Sequence, residues 1–159
     1  MQLRDYQIEL SITATALLQQ YGIAYLSMEV RTGKTATALT AANNYGAKSV
    51  LFLTKKKAVS SIVSDHKELG YDYMLTVTNY EQAGNILDSF DLIILDEAHS
   101  LGQFPSPAKK NKVIKKLSEG KPIIYLSGTP TPESYSQIFH QFHISSFSPF
   151  KQYANFYKW

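Results

Sequence analysis

Five short apolar runs limit what this chain can fold into: IAYLSM from Ile23, SVLFLT from Ser49, MLTVT from Met74, DLIIL from Asp91 and PIIYLS from Pro122. Each has the length of a strand buried on both faces and is rich in β-branched or other large apolar residues. The segments between them read as helices. Tyr6, Leu10, Ala14, Leu17 and Tyr21 recur at helical spacing, and Gly22 can end that helix. Lys34 to Tyr45 is rich in Ala, Thr and Leu, and closes near Gly46. KKKAVSSIVSDHKEL reads as a loop and helix, and the lysine-rich stretch beyond Pro105 and Pro107 as a helix ending near Gly120. Tyr135, Ile138, Phe139 and Phe142 share one helical face, and FKQYANFYKW is expected to form a last, aromatic helix. Strands alternating with helices predict βαβ units, hence an α/β fold with a mostly parallel sheet covered on both faces.

The chain has 159 residues, the size of one domain. Apolar residues make up 44% and charged residues 18%, which excludes a disordered profile. No apolar run approaches the roughly 18 residues a bilayer demands, so no membrane partner is expected. With no cysteine, disulfides, thiolate metal sites and cysteine nucleophiles are excluded together. The expected setting is cytoplasmic, of a bacterial or phage-like kind. Charge is segregated: residues 1–98 balance to −3 and residues 99–159 to +6, which hints at a polyanionic partner.

After IAYLSM the chain reads Met28-Glu29-Val30-Arg31-Thr32-Gly33-Lys34-Thr35. A Gly-Lys-Thr core between a strand and a helix is the setting of a phosphate-binding Walker A loop. Backbone amides and the helix N-terminus favour phosphate there. Gly33 permits close approach, Lys34 sets a compact positive charge by the β- and γ-phosphates, and Thr35 offers a hydroxyl to Mg²⁺. The usual pattern has glycine where this chain has Met28.

DLIIL runs directly into Asp96-Glu97-Ala98-His99. Two carboxylates at the end of an apolar strand are costly unless they meet a cation or polar partners. In a phosphate-loop enzyme the first holds Mg²⁺ and the second acts as general base, which assigns Asp96 and Glu97. The structural alternative makes them caps of a following helix.

In order, Leu3-Arg4-Asp5-Tyr6-Gln7, Arg31 to Thr35, Asp96 to His99 and Ser127-Gly128-Thr129-Pro130 resemble the first motor lobe of superfamily-two helicases. The resemblance is to the Swi/Snf-type branch, and Thr78-Asn79-Tyr80-Glu81 looks like that branch's Thr-x-Tyr-Glu segment. It implies a RecA-like three-layer α/β/α phosphate-loop fold over residues 1–159, and an ATP hydrolase that binds ATP and Mg²⁺. It also implies that Gln7 reads adenine, with Arg31, Thr32, Gly33, Lys34 and Thr35 at the phosphates. His99 would couple the nucleotide site to a second lobe, and Ser127 and Thr129 would link hydrolysis to movement on nucleic acid. Gln7 as an ordinary surface residue and His99 as an exposed loop histidine are the plain alternatives.

Lys55, Lys56 and Lys57 follow SVLFLT at the sheet end where nucleotide is expected, and suit a nucleic-acid backbone by counterion release. A second cluster, Lys109, Lys110, Lys112, Lys115, Lys116 and Lys121, precedes SGTP. DNA is favoured over RNA, and duplex over single strand. A second RecA-like lobe, absent from these residues, is expected as partner, with weak hydrolysis without it. The competing reading is a stand-alone nucleotide-binding module that regulates or scaffolds, which Met28 favours. A small-molecule kinase would need an arginine-rich lid, and only Arg4 and Arg31 exist.

Overall fold

A computed structural model describes residues 1–29 and 32–159. Helix α1 spans Asp5–Tyr21 and strand β1 Ile23–Ser27, followed by α2 (Lys34–Tyr45), β2 (Ser49–Thr54), α3 (Val59–Leu69) and β3 (Met74–Asn79). Strand β4 is Leu92–Leu95, α4 is Lys109–Leu117, β5 is Ile123–Ser127 and α5 is Ile138–Phe142. Short 3₁₀ turns fill several connections, including Tyr80–Asn85 and Ala98–Leu101.

All five strands are parallel, in the order β1-β5-β4-β2-β3. The chain enters at β1, crosses to β2 and β3, then returns to β4 and β5. β5 therefore lies between the strands that lead into the phosphate loop and the acidic motif. Alternate residues serve opposite cores. On one face Ala24, Leu26, Phe52, Ile94 and Ile124 pack beneath α1, α2 and α3. On the other, Leu51, Leu53, Ile93, Leu95, Ile123 and Tyr125 pack beneath α4, the 3₁₀ turns and the C-terminal residues. This is the three-layer α/β/α architecture expected, with the sheet wholly parallel among the described residues.

Three expectations need correction. Helix α1 buries Gln7, Ser11, Ala14, Thr15 and Leu18, while Tyr21 is exposed and Leu10 and Leu17 are only partly buried. The buried stripe is rotated by one residue because α1 packs on α2, which presents Ala38, Ala41 and Ala42. Small residues let the two backbones approach, so the Thr15 hydroxyl donates to Ser11 O at 2.7 Å and lies 3.3 Å from Ala41 O. The second correction is the C-terminus. FKQYANFYKW forms turns and one 3₁₀ turn at Phe156–Lys158, with no α-helix. Its aromatics fold back on α5, with Phe139 stacked on Trp159 at 5.4 Å and Phe156 edge-on to Phe139 at 6.1 Å. Tyr135 likewise precedes α5 and is 80% exposed, outside the expected face.

Candidate nucleotide-binding site

Parallel pairing delivers the polar motifs to one end of the sheet. Leu53 lies opposite Leu95, so Thr54 and Asp96 leave β2 and β4 side by side. The buried Thr54 hydroxyl donates to Asp96 Oδ2 at 2.7 Å. Asp96 Oδ1 accepts the Glu97 backbone N–H at 3.0 Å. The Tyr80 hydroxyl, buried and held in its protonated form by burial and by the nearby Asp96 and Glu97 charges, donates to Asp96 O. Both carboxylate oxygens of Asp96 are thus engaged, which is how a nearly buried charge is tolerated.

Lys34, in the first turn of α2, reaches across to this pair. Its Nζ lies 3.2 Å from Glu97 Oε1 and 3.7 Å from Asp96 Oδ1. Glu97 adopts a left-handed backbone, φ 51°, the one non-glycine residue with positive φ among those described. Such a conformation is costly and turns the side chain away from the strand direction toward Lys34. Neither carboxylate forms a side-chain cap on the following 3₁₀ turn, so the capping alternative fails. Burial pushes the Glu97 carboxyl up, but the Lys34 ammonium, its hydrogen bond, and His99 and Lys55 together hold it below the usual range. Glu97 is therefore ionised at neutral pH.

His99 is half-buried between Glu97 and the Ser127–Pro130 loop, unlike an exposed loop histidine. Its Nδ1 is 2.7 Å from Ser127 Oγ, and its Nε2 is 3.4 Å from Glu97 Oε2. Burial lowers its pKa, as do Lys55 and Lys34, against the opposing pull of Glu97 and Asp96. The neutral ring that satisfies both neighbours carries its proton on Nε2, facing Glu97, and accepts from Ser127 at Nδ1. Ser127 Oγ in turn accepts the Thr129 N–H at 3.1 Å.

Gln7 is 7% exposed, unlike the ordinary surface residue of its alternative reading. Its Nε2 donates to Gly33 O at 3.1 Å and its Oε1 accepts from Arg4 N at 2.8 Å. The Tyr6 hydroxyl donates to Thr32 O at 2.6 Å. The start of α1 is thereby tied to Thr32 and Gly33, just before α2. Gly33 has φ 74°, a conformation that favours glycine, and a Cβ there would displace the Gln7 amide from its place. Beside these residues opens a cavity of about 410 Å³, lined by Arg4, Tyr6, Gln7, Lys34, Thr35 and Asp65 among others. Met28 does not line it: its side chain is 7% exposed and packs in the core under α1 and α2, while its N–H bonds Ser127 O at 3.1 Å. Arg31 lies outside the described residues.

Lys55, Lys56 and Lys57 are exposed just beyond β2. Lys110, from the later cluster, joins them. It sits 4.9 Å over the Tyr80 ring, donates to Ser100 Oγ at 3.2 Å, and lines a cavity of about 470 Å³ with Lys55 and Lys56. Lys109, Lys112, Lys115 and Lys116 stay exposed on α4. Sequence spacing could not single out Lys110, because its neighbour Tyr80 is 30 residues away.

These residues gather at one end of an α/β domain whose central sheet is parallel. The chain belongs to the SNF2-related domain family, whose model matches residues 35–159. No curated protein matches it. The fold is similar to two solved restriction enzymes. One is the ATP-dependent Type ISP restriction-modification enzyme LlaBIII bound to DNA: 18% identical, TM-score 0.63, covering 80% of this chain and 13% of that one. The other is a nuclease-deletion mutant of the Type ISP enzyme LlaGI with a DNA substrate mimic: 18% identical, TM-score 0.58, covering 85% and 18%. The chain thus spans under a fifth of either protein. Among the described residues, no helix is long and apolar enough to cross a membrane.

Proposed function

We propose that residues 1–159 are one ATP-binding lobe of a nucleic-acid-dependent motor, coupling ATP hydrolysis to movement on DNA together with a second lobe of the same kind. The observation that carries this reading is the meeting of Lys34 with Asp96 and Glu97 within 3.7 Å at the strand ends. Membership of the SNF2-related family supports it. So do the similar enzymes, one bound to DNA and the other in complex with a DNA substrate mimic.

The donor set fits Mg²⁺. Among the described residues no cluster of three or more His, Asp or Glu is arranged as a protein cage. Thr35 and Asp96 would offer one hydroxyl and one carboxylate, and Mg²⁺ commonly takes one or two protein ligands and completes its shell with water and phosphate oxygens. When bound, the ion would neutralise charge developing on the phosphates. The protein's own residues do the rest. Lys34 exchanges its carboxylate partners for β- and γ-phosphate oxygens, which leaves Glu97 free to accept a proton from the attacking water. His99 holds Glu97 in place from its other oxygen. Gln7 and the cavity beside it would take the adenine, with Thr32, Gly33 and Arg31 at the phosphates. Lys55, Lys56 and Lys57, with Lys110, would meet the backbone of DNA, duplex in preference to single strand. Ser127 and Thr129 would pass nucleotide state to that surface.

The stand-alone regulatory reading rests on Met28, whose side chain packs in the core under α1 and α2; unaltered ATP affinity in a Met28 variant would count against it. The second lobe is expected to supply arginines to the transition state, worth about 10³–10⁵ in rate in related phosphoryl-transfer enzymes. Phosphate release from ATP by this chain alone, with and without duplex DNA, tests the need for it. Negligible turnover in both is expected. Vigorous DNA-stimulated turnover by the chain alone would contradict it.

A further inference from the structure

One side chain behind the carboxylates joins elements that the motifs do not connect. Gln141 lies on α5 and is completely buried. The Tyr25 hydroxyl, from β1, donates to Gln141 Oε1 at 2.6 Å. Gln141 Nε2 donates to Pro130 O at 2.8 Å and to Gln137 O at 2.9 Å. Its backbone carbonyl accepts from the Tyr125 hydroxyl at 2.9 Å. One acceptor and two donors of the amide are used, each on a different partner. A glutamine engaged this way, without access to water, holds its partners in one arrangement.

Its position in the fold gives this consequence. Tyr25 belongs to the strand that leads into the phosphate loop and stacks on Tyr125 at 5.4 Å, 5° from parallel. Pro130 closes the loop that begins at Ser127, whose hydroxyl sets the His99 ring. Gly102 follows the turn that carries His99, and a Cβ there would lie 2.9 Å from Gln141 Nε2 and collide with Gln137 O. The strand before the phosphate loop, the turn after the acidic motif and the Ser127–Pro130 loop all converge on Gln141.

We propose that Gln141 is a positioning residue: it pins the Ser127–Pro130 loop against β1 and so fixes the His99 ring that faces Glu97. Its catalytic consequence rests on the reading of Glu97 as general base, but the positioning itself does not. Gln141 touches no reacting atom. It acts through Pro130, Ser127 and His99 in turn.

The test is the ¹⁵N NMR spectrum of the His99 ring at neutral pH, without nucleotide, in the parent chain, Gln141→Leu and Tyr25→Phe. Leucine keeps much of the volume and removes every side-chain hydrogen bond. Phenylalanine removes the hydroxyl that reaches both Gln141 and Ser127, and keeps the ring stack. In the parent, Nδ1 carries the signature of a hydrogen-bond acceptor. In Gln141→Leu that signature is expected to disappear, with the resonance moving to that of a solvent-averaged imidazole, and in Tyr25→Phe to weaken. A folded Gln141→Leu whose His99 resonances match the parent overturns the proposal, even if it melts at lower temperature, because that is what a purely structural role gives. If Gln141→Leu does not fold, Gln141→Met, which likewise lacks the amide, decides, and an unchanged Nδ1 resonance there overturns it. Because no ATP is present, neither outcome depends on whether the chain hydrolyses nucleotide.

Discussion

Two charged regions share the same end of the sheet and are built in opposite ways. Around Asp96 and Glu97, nearly every polar atom has a partner: Thr54, Lys34, His99, Ser127 and Tyr80 interlock across β2, β4, β5 and α2. Immediately beyond β2, Lys55 begins a run of three exposed lysines, and among the described residues none of the three forms an ion pair. Thr54 is wholly buried and Lys55 is exposed, so the boundary is one peptide wide. The interlocked region can hold charges at fixed separations in reduced dielectric, which chemistry on a phosphate needs. The open region can only attract, and its strength must fall with salt. Geometry serves the first and number of charges the second.

Substitutions at the two regions should therefore differ in kind. The largest loss of stability is expected from Met28→Ala, at the inner edge of the interlocked region, about 2–5 kcal/mol for truncating a buried methionine. ATP affinity at temperatures where the variant is folded should match the parent, since Met28 faces the core. Chemical denaturation paired with nucleotide titration separates the two effects. Thr54→Val comes next, at about 1–3 kcal/mol, because it leaves Asp96 Oδ2 without its donor in a buried place. Denaturation at neutral pH measures it, and a cost near zero would mean the network is looser than its distances say.

Replacing Lys55, Lys56 and Lys57 together by alanine should change stability by less than about 0.5 kcal/mol, as at unpaired surface sites. It should instead flatten the salt dependence of DNA binding, lowering the log–log slope by up to about 0.9 for each phosphate that the variant no longer neutralises. Fluorescence anisotropy across a salt series reads this directly. An unchanged slope would make these lysines a solvated face.

The smallest effect is pH dependence. Folding lowers the His99 pKa from its ordinary 6.5, so the unfolded chain binds the proton more readily. The stability involved is present above pH 6.5 and is lost as pH falls through the folded value. Glu97, held below its ordinary 4.5, has the same sign: its contribution is present above pH 4.5 and lost below. His99→Gln should reduce the upper part of this acid-side decline in a denaturation series, the remainder belonging to His66 and His140, which burial also lowers, and should leave the Glu97 contribution below pH 4.5.

Much of the interlocked region could be read from sequence because each motif sits at the end of a strand whose apolar run is unmistakable. DLIIL must be buried, and Asp96 must follow it. The parallel sheet then brings distant motifs together without further instruction. What escaped reading depends on packing between segments far apart. The face of α1 turned on the small side chains of α2, which periodicity within α1 does not encode. The aromatics of residues 150–159 pack on α5 one by one, so their abundance imitated a helix. Lys110 over Tyr80, and Gln141 between Tyr25 and Pro130, are pairings of single side chains across the fold, and no spacing in the sequence marks them.

In the proposed function, Lys34, Thr35, Asp96 and Glu97 hold ATP with Mg²⁺. Calorimetric titration of ATP with Mg²⁺ into the chain and into Lys34→Ala tests it most directly. Saturable binding by the parent that weakens at least about tenfold in the variant, or roughly 1.4 kcal/mol, is the result this account predicts. Equal affinity in the two proteins, or no binding by a folded parent at millimolar ATP, would contradict it.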